Sequence, residues 1–294
     1  MKKIIKISSI LAVVFMAISC DKDETNSDNL TADDAKTNTQ IDIASDDVSN
    51  IVDLMYDNIN ENTISYRTAN ASSSVSSNCA TITRVPNFGT PLTPGTQVTK
   101  TIDFGTTGCT LNNGNVVKGK IIINFVFQPN AASQVITYTF DNFYHNGIKL
   151  EGTKTFTRSM TVATATIPSR PIVVMALDLT ITLANGNVVT RVGTRTREFV
   201  EGYNTPQIFA DNIYKITGNW TTTKSNGNQH TATITEPLMA KMSCTVVNKP
   251  ILAKGIITFL KNNVTSTLDY GDGTCDNTAI YTINGNSYTI IIGN

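Results

Sequence analysis

The stretch "NGNVVKGKIIINFVF", Asn113 to Phe127, decides how the chain is read. It opens on Asn-Gly, whose two residues tolerate the positive φ of a type I′ turn joining two antiparallel strands. After the turn the residues alternate. Val117, Ile121, Ile123, Phe125 and Phe127 share one face at period two, whereas a helix would repeat its apolar residues about every 3.6 positions. The same grammar recurs. Asn-Gly stands again at Asn146-Gly147, Asn185-Gly186, Asn226-Gly227 and Asn284-Gly285. Ile136, Tyr138, Phe140 and Tyr144 share a face of one later strand, and Leu177, Leu179, Ile181 and Leu183 a face of another. The predicted fold class is therefore all-β. Residues 79–294 form one large antiparallel meander, curled into a sandwich or an incomplete barrel.

Upstream of Cys79 the composition changes. Residues 21 to 47 hold nine acids against Lys22 and Lys36, so the rest of the chain is correspondingly basic, although the 294 residues sum to a formal charge of zero. That balance gives no reason to expect nucleic acid as a partner, since a concentrated basic footprint is missing. Residues 20–44 read as an acidic, disordered tether. A helix is predicted over 45–62: Ser45 would cap it, Asp46 and Asp47 would suit its positive end, and Val48, Ile51, Val52, Met55 and Ile59 fall on one face. A polar linker, 63–78, leads into the β domain.

The first 19 residues carry a basic start, "MKKIIK", and a short apolar run, "ISSILAVVFMAI". That run is shorter than the ~20 residues a membrane span needs, and suits a signal peptide. It ends in "AISC", Ala17 to Cys20, which resembles the lipobox of bacterial lipoproteins, with Cys20 as the lipidated residue. "DKDETNSDN" after it resembles the acidic export signal of Bacteroidota lipoproteins, which implies display on the cell surface. A transmembrane β-barrel fits less well, because aromatics at 7% are too few for two girdles and the ending "TIIIGN" lacks a terminal aromatic.

Four further cysteines allow three pairings. Cys79 and Cys109 are 30 apart, and Cys244 and Cys275 are 31 apart. Their flanks match: "CATITRV" with "CTVVNKP", and "TKTIDFGTTGCT" with "TSTLDYGDGTCD". This reads as an internal repeat in which each copy closes its own disulfide, as an exported protein permits. The second copy raises a calcium question through Asp269, Asp272 and Asp276. Only Asp269 has an acidic counterpart, Asp103, and no EF-hand pattern is present, so the structural turn is preferred over the metal site. Together the Asp–aromatic–Gly–Cys signature and "NGNVVKGKIIINF" resemble flavobacterial-type surface lipoproteins of the Bacteroidota. The resemblance implies a location at the outer membrane and a β-rich fold, and brings no catalytic residue.

Residues suited to catalysis are sparse. His145 lies in "YHNG" and is expected at a solvated turn; His230 alternates with Ala232 and Ile234 and reads as a satisfied or edge residue. No nucleophile elbow, zinc motif or phosphate loop is present. Glu151, Glu198, Glu201 and Glu236, the glutamates of the β region, suit exposed strand faces. No cofactor is expected, and the protein reads as a non-enzyme. A binding surface is the better prospect. On "VVTRVGTRTREF" period two sets Arg191, Arg195 and Arg197 on one face, and on "IKLEGTKTFTRS" Lys154 and Arg158 share a face with Phe156. These five form a candidate anion-binding strip, because Arg forks suit the carboxylates, sulfates or phosphates of surface glycans. The plainer alternative is a solvated sheet face. Trp220 reads as core. The expectation is a lipid-anchored envelope protein that binds a surface glycan or another envelope protein, or is structural; a glycan-active enzyme is the alternative.

Overall fold

A computed structural model describes residues 30–57, 59, 79–111, 114–205 and 208–292. One helix, α1 (Ala32–Asp57), precedes the strands β1 (Thr81–Val85), β2 (Gln97–Asp103), β3 (Cys109–Thr110), β4 (Val116–Val126), β5 (Ser133–His145), β6 (Ile148–Met160) and β7 (Pro171–Thr182). Next come β8 (Val188–Glu201), β9 (Ile213–Lys224), β10 (Gln229–Lys241), the short helix α2 (Ser243–Val246), β11 (Leu252–Lys261), β12 (Val264–Asp272), β13 (Thr278–Ile283) and β14 (Asn286–Ile291). All fourteen strands belong to one antiparallel sheet in which each pairs with its neighbour in sequence, except that β2 pairs β4 and the short β3 caps the start of β4. The meander is as expected. Of the two forms it could take, the sheet is a single open one rather than a sandwich.

What the sheet encloses is α1. Every residue from Ala44 to Val52 is buried, so this part of the helix is covered on all sides. Side chains of β2, β5, β6, β7, β8, β9 and β10 reach it from around the sheet. The sheet thus curls about the helix without closing. The apolar part of this interior falls into two clusters. Ile41, Val48, Ile51 and Met55 pack with inward residues of β1–β8, and Leu30 and Ala35 with those of β9–β14.

The helix begins well before Ser45. Thr31 caps it, with Thr31 N donating to Asp34 Oδ2 (3.2 Å) and Asp34 N donating to Thr31 Oγ1 (3.1 Å), a reciprocal capping arrangement. Residues 31–44, expected to be tether, are therefore helix and its cap. Asp46 and Asp47 sit in mid-helix rather than at its start. At the other end Lys100, fully buried, donates to the Met55 carbonyl at 3.2 Å, one of the last carbonyls that no intrahelical donor reaches. Cys20 and residues 60–78 lie outside the described residues.

Strand faces obey period two between bulges, and one bulge bears on the interior. Thr139 faces Thr153 and Phe143 faces Leu150, so β5 spends four residues where β6 spends three. Asn142, at φ 46°, is the bulge residue. Opposite it Gly119 lies at φ 85°, where a Cβ would stand 2.0 Å from the Asn142 carbonyl oxygen; only glycine fits. The bulge reverses the alternation. Phe143 and His145, not Tyr144, turn inward.

Candidate functional site

The five cations of the expected strip are brought together, but on the concave face. Arg191, Arg195 and Lys154 are 2% exposed or less, and Arg197 is buried too. Their partners are the acids of α1. Asp42, wholly buried, accepts from Arg191 Nη1 at 2.5 Å and from Arg195 Nη2 at 2.6 Å through the same oxygen. Arg195 also lies 3.6 Å from Asp46, and Arg197 3.6 Å from Asp53. Arg158 donates to Asp57 at 2.8 Å at the outer end. A solvent-facing anion strip is therefore corrected. The forks do take carboxylates, and the carboxylates belong to the same chain.

Aromatic rings flank this ladder. Arg195 stands 4.1 Å and Arg191 5.2 Å from the Trp220 ring centre, and Arg197 3.6 Å from that of Tyr214. Gly193 leaves the space for Trp220, since a Cβ there would lie 2.5 Å from the Trp220 backbone. Burial dominates the protonation equilibria. It pushes Asp46 and Asp53 above the ordinary carboxylate range despite Arg195 and Arg158. It brings Lys154 down to about 7, with Asp46 opposing; Lys154 Nζ instead donates to Ser45 Oγ (2.9 Å) and Ser49 Oγ (3.0 Å).

Both histidines face the helix. His145 is 1% exposed, against the expectation of a solvated turn, and its Nε2 lies 2.7 Å from Asp47 Oδ2. The bulge at Asn142 is what turned it inward. Asn115 Nδ2 donates to the same oxygen at 2.7 Å, and Asn146 Nδ2 donates to Asn115 Oδ1 at 2.8 Å. His230 lies 3.2 Å from Asn38 Nδ2, and burial, with the Arg191 charge second, brings its imidazole down to about 4. The glutamates Glu151 and Glu198 pair with surface cations, Lys149 and Arg170, on the sheet's outer side.

The disulfides are Cys79–Cys109 and Cys244–Cys275. The repeat they bracket holds in detail. Asp103 Oδ1 accepts from Gly105 N at 2.9 Å, Asp269 Oδ1 from Gly271 N at 2.8 Å, and the aromatic residues between, Phe104 and Tyr270, are both buried. Asp272 and Asp276 bind the backbone N–H and hydroxyl of Thr274 and Thr278 in the same way. Each acid of the calcium candidate closes its own turn. Among the described residues no group of three metal-ligating side chains converges.

A recess opens to solvent beside the helix. It is a cleft of about 530 Å³ lined by Lys36, Thr37, Thr39, Gln40 and Ile43 of α1, Asn115, His145 and Asn146 of the network above, Ile148, the β7–β8 turn at Leu183–Asn185, and Ile291. Lys36 and Gln40 are exposed, with Thr37 and Ile43 half-buried, all on one stripe of α1. The cleft is thus floored by the helix and walled by turns at one end of the strands. Strand and helix periodicity alone gave no sign of this cleft, because its walls are turn residues from three separate hairpins. No family model, no curated protein and no solved structure matches the chain.

Proposed function

We propose that the protein is a cell-envelope lipoprotein, anchored through Cys20 and displayed at the outer membrane, that binds a saccharide without transforming it. The anchoring part rests on "AISC" and the acids that come after it. The binding part rests on the cleft. Gln40 and Asn185 offer amides and Thr37 a hydroxyl, groups that both donate and accept, beside the apolar Ile148 and Leu183, while Asn115 and Asn146 behind them are engaged with each other and with Asp47. Sugars present that same mixture of hydroxyls and C–H faces. The Asp47–Asn115–Asn146 hydrogen bonds hold part of that wall rigid before a ligand arrives, which lowers the entropic cost of binding.

Two measurements test this. Cys20→Ala should abolish lipid labelling and release the protein from membranes; undiminished palmitate incorporation would remove the anchor. The full chain in mild detergent should bind members of a glycan array and turn over no chromogenic glycoside. Ala184→Trp, which fills the cleft from the β7–β8 turn, should abolish that binding. Turnover, or binding untouched by the tryptophan, counts against the reading.

A further inference from the structure

We infer that the cleft selects a saccharide bearing a carboxylate, and that Lys36 is the residue that recognises it. This deepens the proposed function and rests on the cleft being a saccharide site.

Seven aspartates and one lysine make up the ionisable charge of α1. The aspartates that face the sheet are engaged: Asp34 with Lys224, Asp42 with Arg191 and Arg195, Asp46 with Arg195, Asp47 with His145, Asp53 with Arg197 and Asp57 with Arg158. Lys36 has no such answer. It forms no ion pair with any acid among the described residues, and it stands on the stripe that floors the cleft. Among the described residues no aspartate or glutamate lines that cleft, and Lys36 is the one lysine or arginine that does. Asp33, one turn earlier and exposed, lies outside the lining. Asp47 approaches from behind the wall, but its Oδ2 is taken by His145 and Asn115.

A saccharide entering this space would find amides and hydroxyls for its hydroxyl groups and a single ammonium for an anion. A monoanionic sugar meets all of these; a neutral one leaves the Lys36 ammonium to water, and a highly charged one finds no second lysine or arginine among the described residues. An exposed charge pair of this kind contributes about a two- to fivefold preference.

The test uses the full chain in mild detergent and an array of oligosaccharides that each carry one uronic acid, each printed beside its methyl ester, which removes that charge. The acids should bind about two- to fivefold tighter than their esters at low salt. Lys36→Gln should remove the difference between acid and ester, and Lys36→Arg should keep it. Ester and acid binding alike, or a preference that survives Lys36→Gln, overturns the assignment to Lys36 while the saccharide reading stands. Failure of every saccharide, neutral ones included, overturns both.

Discussion

Asp42 is the test of whether the interior ladder holds the helix in the sheet. Asp42→Asn preserves shape and removes one charge. The carboxylate is wholly buried, and one oxygen receives two guanidinium groups at 2.5 and 2.6 Å. After the change these cations share an amide, whose own N–H group can point at one of them. Not all is lost. Arg191 keeps Asn38 Oδ1 at 2.6 Å, and Arg195 keeps Asp46 at 3.6 Å and the face of Trp220. Removing one partner of a buried ion pair costs about 3–5 kcal/mol, and these remaining contacts place the expectation at about 3. For a chain of this size about 2–4 °C is lost per kcal/mol, so Tm should fall by about 6–12 °C. Urea titration and calorimetry at neutral pH measure it. A companion variant, Asp42→Leu with Arg191→Met, removes one acid and one cation, leaves Arg195 on Asp46 and Trp220, and should recover part of the loss, since apolar residues of similar volume replace a buried ion pair at little cost. An Asp42→Asn protein within about 1 kcal/mol of the wild type, at unchanged m-value, would refute the reasoning.

Three further outcomes are expected. His230 has a depressed folded-state value, about 4 against 6.5 in the unfolded chain, so its contribution is full above pH 6.5 and is lost as pH falls toward 4, by about 3 kcal/mol; His230→Gln should flatten urea midpoints across that window. Gly193→Ala forces a Cβ against the Trp220 backbone and should destabilise by about 1–3 kcal/mol in the same titration. Removing either disulfide by paired Cys→Ala should cost about 3–4 kcal/mol for loops of 30 and 31 residues, whereas millimolar calcium against chelator should leave Tm unmoved in the wild type and in Asp272→Ala alike.

The strands were legible because hairpins are local. Asn-Gly sets each turn and the alternation beside it sets each face, so β4 and β7 could be read without knowing their neighbours. The first half of α1 was not. "TADDAKTNTQIDIASDD" has the composition of a solvated tether, and nothing within it shows that Asn38, Asp42 and Asp46 are buried. Their partners lie on β8 and β10, far along the chain. The signal was present in another form, as nine acids gathered before residue 48 and a basic remainder after it. The arginine strip was likewise legible as a set and misread in direction, because period two assigns residues to a common face without saying which face is outside. His145 was lost to one inserted residue, Asn142, whose left-handed backbone no local pattern announced.

The enclosure of α1 also bears on the order of assembly. Each hairpin of the meander can form from adjacent residues, but the bonds to the helix span 98 residues for His145–Asp47, 149 for Arg191–Asp42 and 192 for His230–Asn38. The segment made first is thus the one satisfied last. Until it docks, the molecule is a polyanionic segment joined to a basic sheet, and their meeting is what pairs the opposite charges. Long-range contacts of this kind form slowly, since chain entropy is lost before they contribute. Opposite charge offsets part of that delay by drawing the two together across about a Debye length of 10 Å. Completing this fold is, in physical terms, an association reaction between two parts of a single chain.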